Sequence, residues 1–130
     1  MFEKYLVHPS GFRNVTSEGQ TVGYEVQLRI PYYRGIPMSC VKEITLTVDD
    51  AAVPHESTSF LVKGEWLKYD ELPTAVNHRW EMADAITVRV EQTGGLQPGA
   101  HKVKGYVSLR ISYQPHPNVG EDEKVLTLEP

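Results

Sequence analysis

One cysteine, Cys40, stands in 130 residues. No disulfide can close within the chain, so packing alone must hold it. The length is sufficient to bury a core without metal or disulfide support. No apolar run approaches the roughly 20 residues that cross a bilayer as a helix, which excludes a membrane partner of that kind. The opening run, Met-Phe-Glu-Lys-Tyr-Leu-Val-His-Pro, lacks the long apolar core of a secretory leader. A cytoplasmic location is therefore expected, and the glycosylation sequon Asn14-Val15-Thr16 is read as chance. Cationic residues are in the minority, 13 against 17 acidic ones, for a formal net charge of −4. With no basic stripe to displace counterions, nucleic acid is excluded as a partner. Amphipathic helical periodicity of any length is missing, as are internal repeats and low-complexity linkers. Residues 1–130 therefore read as one domain.

What is present is alternation with a period of two. Along residues 21–30, Val22, Tyr24, Val26, Leu28 and Ile30 fall on one side and Glu25, Gln27 and Arg29 on the other, the pattern of a half-buried strand. Ile44, Leu46 and Val48 alternate with threonines in residues 40–48, and Ile86, Val88 and Val90 with Thr87, Arg89 and Glu91. Shorter strands are expected at 2–7, 12–15, 51–54 and 59–62, and an extended piece at 74–84. Turns are expected at 9–11, 17–20 and 49–50. Residues 66–72 admit two readings, a strand with a corner or one helical turn stopped by Pro73. The longest strand is expected at 102–114, with Gly105 as a bulge. Gly120-Glu-Asp-Glu-Lys124 reads as a solvated turn before a closing strand at 125–128. The run Leu96-Gln-Pro-Gly-Ala-His101 resembles the corner of immunoglobulin-like sandwiches, where a tyrosine hydroxyl ties the chain; a ring nitrogen of His101 is expected to do so here. The fold class is all-β, an antiparallel β-sandwich of immunoglobulin-like or jelly-roll type.

No catalytic constellation emerges. The histidines (His8, His55, His78, His101 and His116) show no metal-ligand spacing, so no metal site is assigned. Ser39 and Cys40 lack the sequence context of an activated nucleophile, and Cys40 reads as a small buried residue. Asp49-Asp50, Asp70-Glu71 and Glu121-Asp122-Glu123 are neighbours in turns, and adjacency along a chain does not pair carboxylates for acid–base work. Gly94-Gly95 and Pro98-Gly99 have no helix behind them to cradle a phosphate.

Aromatic and arginine clusters remain. Tyr32, Tyr33, Arg34, Ile36 and Met38 crowd one segment between Pro31 and Ser39, with Pro37 inside it, where a loop is ordinarily small and polar. Aromatics, Arg and Met are the types enriched at interfaces, so this loop is assigned to a partner interface or an active-site rim. Trp66, Tyr69 and Trp80 are candidate stacking platforms for a ligand; the competing reading puts both tryptophans in the core.

The segments Gly11-Phe-Arg-Asn-Val15, Gly23-Tyr24 and Leu28-Arg-Ile-Pro-Tyr-Tyr-Arg-Gly-Ile-Pro-Met-Ser-Cys40, with Val48-Asp49, Arg79-Trp80 and the Leu96–His101 corner, resemble the small (beta) subunit of bacterial C-glycoside deglycosidases. The Arg-Ile-Pro-Tyr-Tyr-Arg-Gly-Ile-Pro run is the most specific part. The resemblance implies a β-sandwich bound to a barrel-type large (alpha) subunit in a hetero-oligomer. It also implies cleavage of the carbon–carbon bond between a 3-oxo sugar and its aglycone. A divalent metal, manganese by expectation, and a histidine base are implied in the partner, with no cofactor and no catalytic residue in this chain. Homo-oligomer formation by the chain alone is left open. The alternative is a stand-alone carbohydrate or aryl-glycoside binding module.

Overall fold

The structure, a computed structural model, describes residues 6–30, 35–81, 84–111 and 115–129. The alternation along residues 21–30 becomes β2 (Gln20–Arg29), flanked by β1 (Arg13–Ser17) and β9 (Ala85–Glu91). With β6 (Thr58–Val62) and β7 (Glu65–Lys68) they form a five-stranded antiparallel sheet in the order β1-β2-β9-β6-β7. The second sheet runs β11-β10-β4-β5, built from β4 (Val41–Val48), β5 (Ala51–Ala52), β10 (Gly99–Leu109) and β11 (Asn118–Leu128). A two-stranded ladder joins β3 (Ile36–Pro37) to β8 (Arg79–Trp80). The apolar sides of both sheets, including Tyr24, Val26, Leu28, Phe60 and Val88 from one and Ile44, Leu46, Val107 and Leu109 from the other, share one buried cluster. Each such side chain contributes roughly 1.5–3 kcal/mol by leaving water. This is the antiparallel sandwich that the sequence indicates.

Several local readings change. Gly120-Glu-Asp-Glu-Lys124 is not a turn but the middle of β11, in unbroken register with β10. Gly120, Leu126 and Leu128 face inward on that strand. The inward Asp122 is satisfied by the Val7 N–H at 2.9 Å and by Lys124, which is how charges sit on a strand face turned to the protein. Gly105 is not a bulge: the ladders to β11 and β4 pass through it evenly, and the register shift toward β4 lies between Ser108 and Leu109. A Cβ at 105 would stand 3.3 Å from both Leu28 and Val7 side chains, so glycine here lets the two sheets close together. The long strand opens at Gly99, ahead of the expected Lys102, and closes at Leu109, short of the expected 114; Arg110 and Ile111 lie beyond it, and 112–114 lie outside the described residues. Residues 66–72 realise both readings in turn, β7 followed by a 3-10 helix at Tyr69–Thr74. Pro73 lies inside that helix, and the Glu71 carboxylate accepts the Lys68 N–H at 2.7 Å. Asp49 and Asp50 do form the turn after β4, both with positive φ.

Candidate functional site

Tyr32, Tyr33 and Arg34 lie outside the described residues. Ile36 and Met38, assigned with them to a contact surface, are instead buried in this chain. Ile36 pairs with Trp80, and the Met38 N–H donates to the His78 carbonyl at 2.7 Å. Met38 opens a 3-10 helix (Met38–Cys40) that rests on Tyr69–Thr74, where the Ser39 N–H reaches the Ala75 carbonyl at 3.2 Å. Both side chains turn inward because the β3–β8 ladder and this short helix need apolar fill beneath them.

Trp80 is fully buried. Its indole Nε1–H donates to the Asp84 carbonyl at 3.3 Å, which satisfies its one polar atom. A ring in that position has no face to offer a ligand, so Trp80 is a core residue and not a stacking platform. Around it Arg79 donates to Glu81 at 2.8 Å and to the Gly35 carbonyl at 3.0 Å. A Cβ on Gly35 would meet the Glu81 carboxylate at 2.6 Å, so glycine here lets the Glu81 carboxylate pack against the chain while Arg79 bonds the Gly35 carbonyl.

Tyr69 is half-buried and stacks on His55, with ring centroids 4.0 Å apart and planes 5° from parallel. Burial is the main reason its phenol pKa is raised. The Thr45 hydroxyl donates to Glu43 at 2.7 Å, so its oxygen accepts from His55 Nε2 at 2.9 Å. The resulting Glu43–Thr45–His55 chain borders a depression of about 420 Å3 that Glu56, Lys68, Tyr69 and Asp70 also line. One face of Tyr69 is occupied by His55, which leaves less ring for a ligand than the sequence suggests.

Trp66 lies at the surface, 42% exposed. The core reading for it fails because β7 is an edge strand and Leu67, its neighbour, takes the inward position. Trp66 joins a ladder across the outer face of the five-stranded sheet. The Arg89 guanidinium sits over its ring, 4.3 Å from the centroid. The same guanidinium donates to Glu25 Oε2, from Nε at 2.8 Å and Nη2 at 2.6 Å, while Arg13 Nε donates to Oε1 at 3.1 Å. Glu25 is 2% exposed, a carboxylate desolvated outside the core and held there by two arginines. Gln27 and Thr87 hydrogen-bond each other one row along. Trp66, Tyr69 and Trp80 therefore do not form one platform. The Arg89–Trp66 contact goes beyond the sequence reading; the outward parity shared by Glu25, Arg89 and Trp66 is the signal that carries it.

Among the described residues, no three His, Cys, Asp or Glu side chains come together as metal ligands would. No helix among them is long and apolar enough to cross a membrane.

Comparison with known proteins points one way. The family of C-glycoside deglycosidase beta subunits matches residues 2–113. A C-glycoside deglycosidase beta subunit of Eubacterium cellulosolvens is 28% identical over 114 residues, 87% of this chain and 78% of that protein. The 3'-dehydrocarminate deglycosidase beta subunit of a Microbacterium species is 34% identical over 94 residues, 72% of this chain and 70% of its own. A C-glycoside deglycosidase beta subunit of Microbacterium trichothecenolyticum is 35% identical over 91 residues, covering 68% and 66%. The family match spans most of the strands described above, from before β1 through β10, and on that ground the chain belongs to the C-glycoside deglycosidase beta subunit family.

Proposed function

We propose that this chain is the accessory subunit of a C-glycoside deglycosidase. In this reading it assembles with a larger, barrel-type alpha subunit that cleaves the carbon–carbon bond between sugar and aglycone. The observation that carries the reading is the family match over residues 2–113. The relative named for 3'-dehydrocarminate supports a substrate class, C-glycosides whose sugar is already oxidised at position 3. A carbonyl at that position acidifies the neighbouring C–H, so the reaction calls for a base and a group that polarises the oxygen. The proposal assigns the base and a divalent metal such as manganese to the larger subunit. Tyr33 and Arg34 are proposed as partner contacts on residue type alone.

The test is co-expression with a barrel-type alpha subunit of a C-glycoside deglycosidase, followed by size-exclusion chromatography and an assay of aglycone release from a 3-oxo-C-glycoside. A stable complex, active only when both chains are present, is the expected result. Full activity of the larger chain alone, or no complex, would refute the reading. The exposed Trp66 favours a second reading, a stand-alone carbohydrate or aryl-glycoside module. Binding of a simple aryl glycoside by the isolated chain, lost in Trp66→Ala, would establish that instead.

A further inference from the structure

We infer that the outer face of the five-stranded sheet, centred on Trp66 and Arg89, is the surface on which this chain receives its larger subunit. This rests on the accessory-subunit reading above and names the contact it requires. The strand registers place Arg13, Arg29, Lys68 and Arg89 outward on this face, against Glu25 and Glu91. Four cations against two carboxylates among these described strand residues give the face a formal +2, on a chain whose total is −4. Its Trp and Arg side chains are the types that dominate binding energy at interfaces.

They are also fixed in advance. Arg89 is gripped by the buried Glu25 on one side and lies over Trp66 on the other, so little rotamer freedom remains to be lost on docking. The outer face of the other sheet differs: Lys102 pairs with Asp50 at 2.7 Å and Lys104 with Glu121 at 3.3 Å, one carboxylate to each cation, whereas Arg13 and Arg89 share the single Glu25. The expected partner surface is acidic, with an apolar or aromatic side chain that closes over the exposed indole.

The experiment uses the full chain against the purified larger subunit in a surface-binding assay at two salt concentrations. Trp66→Ala and Lys68→Glu are the test variants. Both positions are exposed on an edge strand, and thermal melting confirms that each variant folds. Tyr106→Ala and Lys104→Glu on the opposite sheet are the controls. Each test variant is expected to weaken association about tenfold or more, the controls less than about twofold. Lys68→Glu should act mainly on the association rate and lose its effect at high salt. Undiminished binding by both test variants, with the unaltered chain binding normally, overturns this assignment alone. Failure of the unaltered chain to bind overturns the accessory-subunit reading and this assignment with it.

Discussion

Replacing His101 by tyrosine should remove a pH dependence that the fold builds into the start of β10. Nδ1 of His101 lies 2.6 Å from Asp49 Oδ2, and Nε2 lies 2.6 Å from the Gln97 carbonyl oxygen. Both neighbours only accept. A neutral imidazole carries one N–H and leaves one of these contacts without a hydrogen, whereas an imidazolium satisfies both. The Asp49 bond foremost, then the Gln97 bond, raises the His101 pKa above its ordinary 6.5. The Asp49 pKa is lowered, first by His101 and then by the Lys102 N–H, which reaches Oδ1 at 2.9 Å. Because the folded His101 holds its proton more tightly than the unfolded one, its contribution is fully present below about pH 6.5. It fades as pH rises through the folded pKa. Asp49 works in the opposite sense: its contribution is present above its ordinary 3.8 and fades as pH falls through its lowered folded value.

The size of the effect follows from proton linkage. Between the unfolded and folded pKa of His101 the native state binds at most one extra proton, so stability falls by at most about 1.4 kcal/mol per pH unit. The slope stays below that limit because half of the Asp49 side chain is in water, which screens the pair. A tyrosine at this position would keep an aromatic body beside Phe12 and a hydroxyl able to donate to one acceptor, with no titration near neutrality. Urea unfolding of both proteins from pH 5.5 to 9 gives a difference curve in which other groups cancel. His8, whose pKa is lowered mainly by burial, is common to both. Tyr24, pushed up to about 12 chiefly by burial, stays neutral throughout. The histidine protein should lose stability relative to the tyrosine variant as pH rises above 6.5. Parallel curves would refute the imidazolium assignment.

Two further outcomes follow from the packing. Gly23→Ala should destabilise the chain by about 3 kcal/mol, measured by urea unfolding, because its Cβ would fall 2.0 Å from the Val90 carbonyl oxygen and force β2 from β9; a loss below about 1 kcal/mol would mean the strands part cheaply there. In acrylamide quenching, fluorescence of the Trp80→Phe variant, which reports Trp66, should be quenched strongly, and that of Trp66→Phe, which reports Trp80, hardly at all; equal quenching would contradict the two positions described.

The strands that sequence alone reveals are those whose apolar side faces a core and whose polar side faces water. For β9 the period of two is a direct image of that division; in β2 it marks the core side, although Val22 at one end of that side is exposed and Glu25 on the other side is buried. The His101 tie is legible too, because the Leu-x-Pro-Gly corner fixes where the ring must reach. β11 is hidden because its inward side carries Asp122 and Lys124, and only the Val7 amide, 115 residues away, makes an inward carboxylate acceptable. The two tryptophans illustrate the same limit. Each neighbours a charged residue in sequence, yet Trp80 sits in the buried cluster beside Ile36 of β3 while Trp66 stands on an edge strand, on the side of the sheet turned away from the core. Ile36 and Met38 look like surface loop residues flanking a proline, and they turn inward because of Trp80 and the Tyr69–Thr74 helix, which arrive later in the chain.

The β2–β9 pair links the fold to the proposed surface. Its core side carries Tyr24, Val26, Leu28, Val88 and Val90, and its outer side carries Glu25, Arg89 and the hydrogen-bonded Gln27 and Thr87. Disturbing the pairing itself, as Gly23→Ala does, must therefore lower stability and displace Arg89 from Glu25 together. Trp66 sits two strands away from β9 on the edge, so its removal leaves the pair intact and withdraws only the ring beneath the guanidinium. A face that serves stability alone would make the two substitutions differ only in size on a melting curve. A face that receives a partner separates them: Trp66→Ala melts close to the unaltered chain, yet binds the larger subunit as weakly as a chain whose sheet has been forced apart.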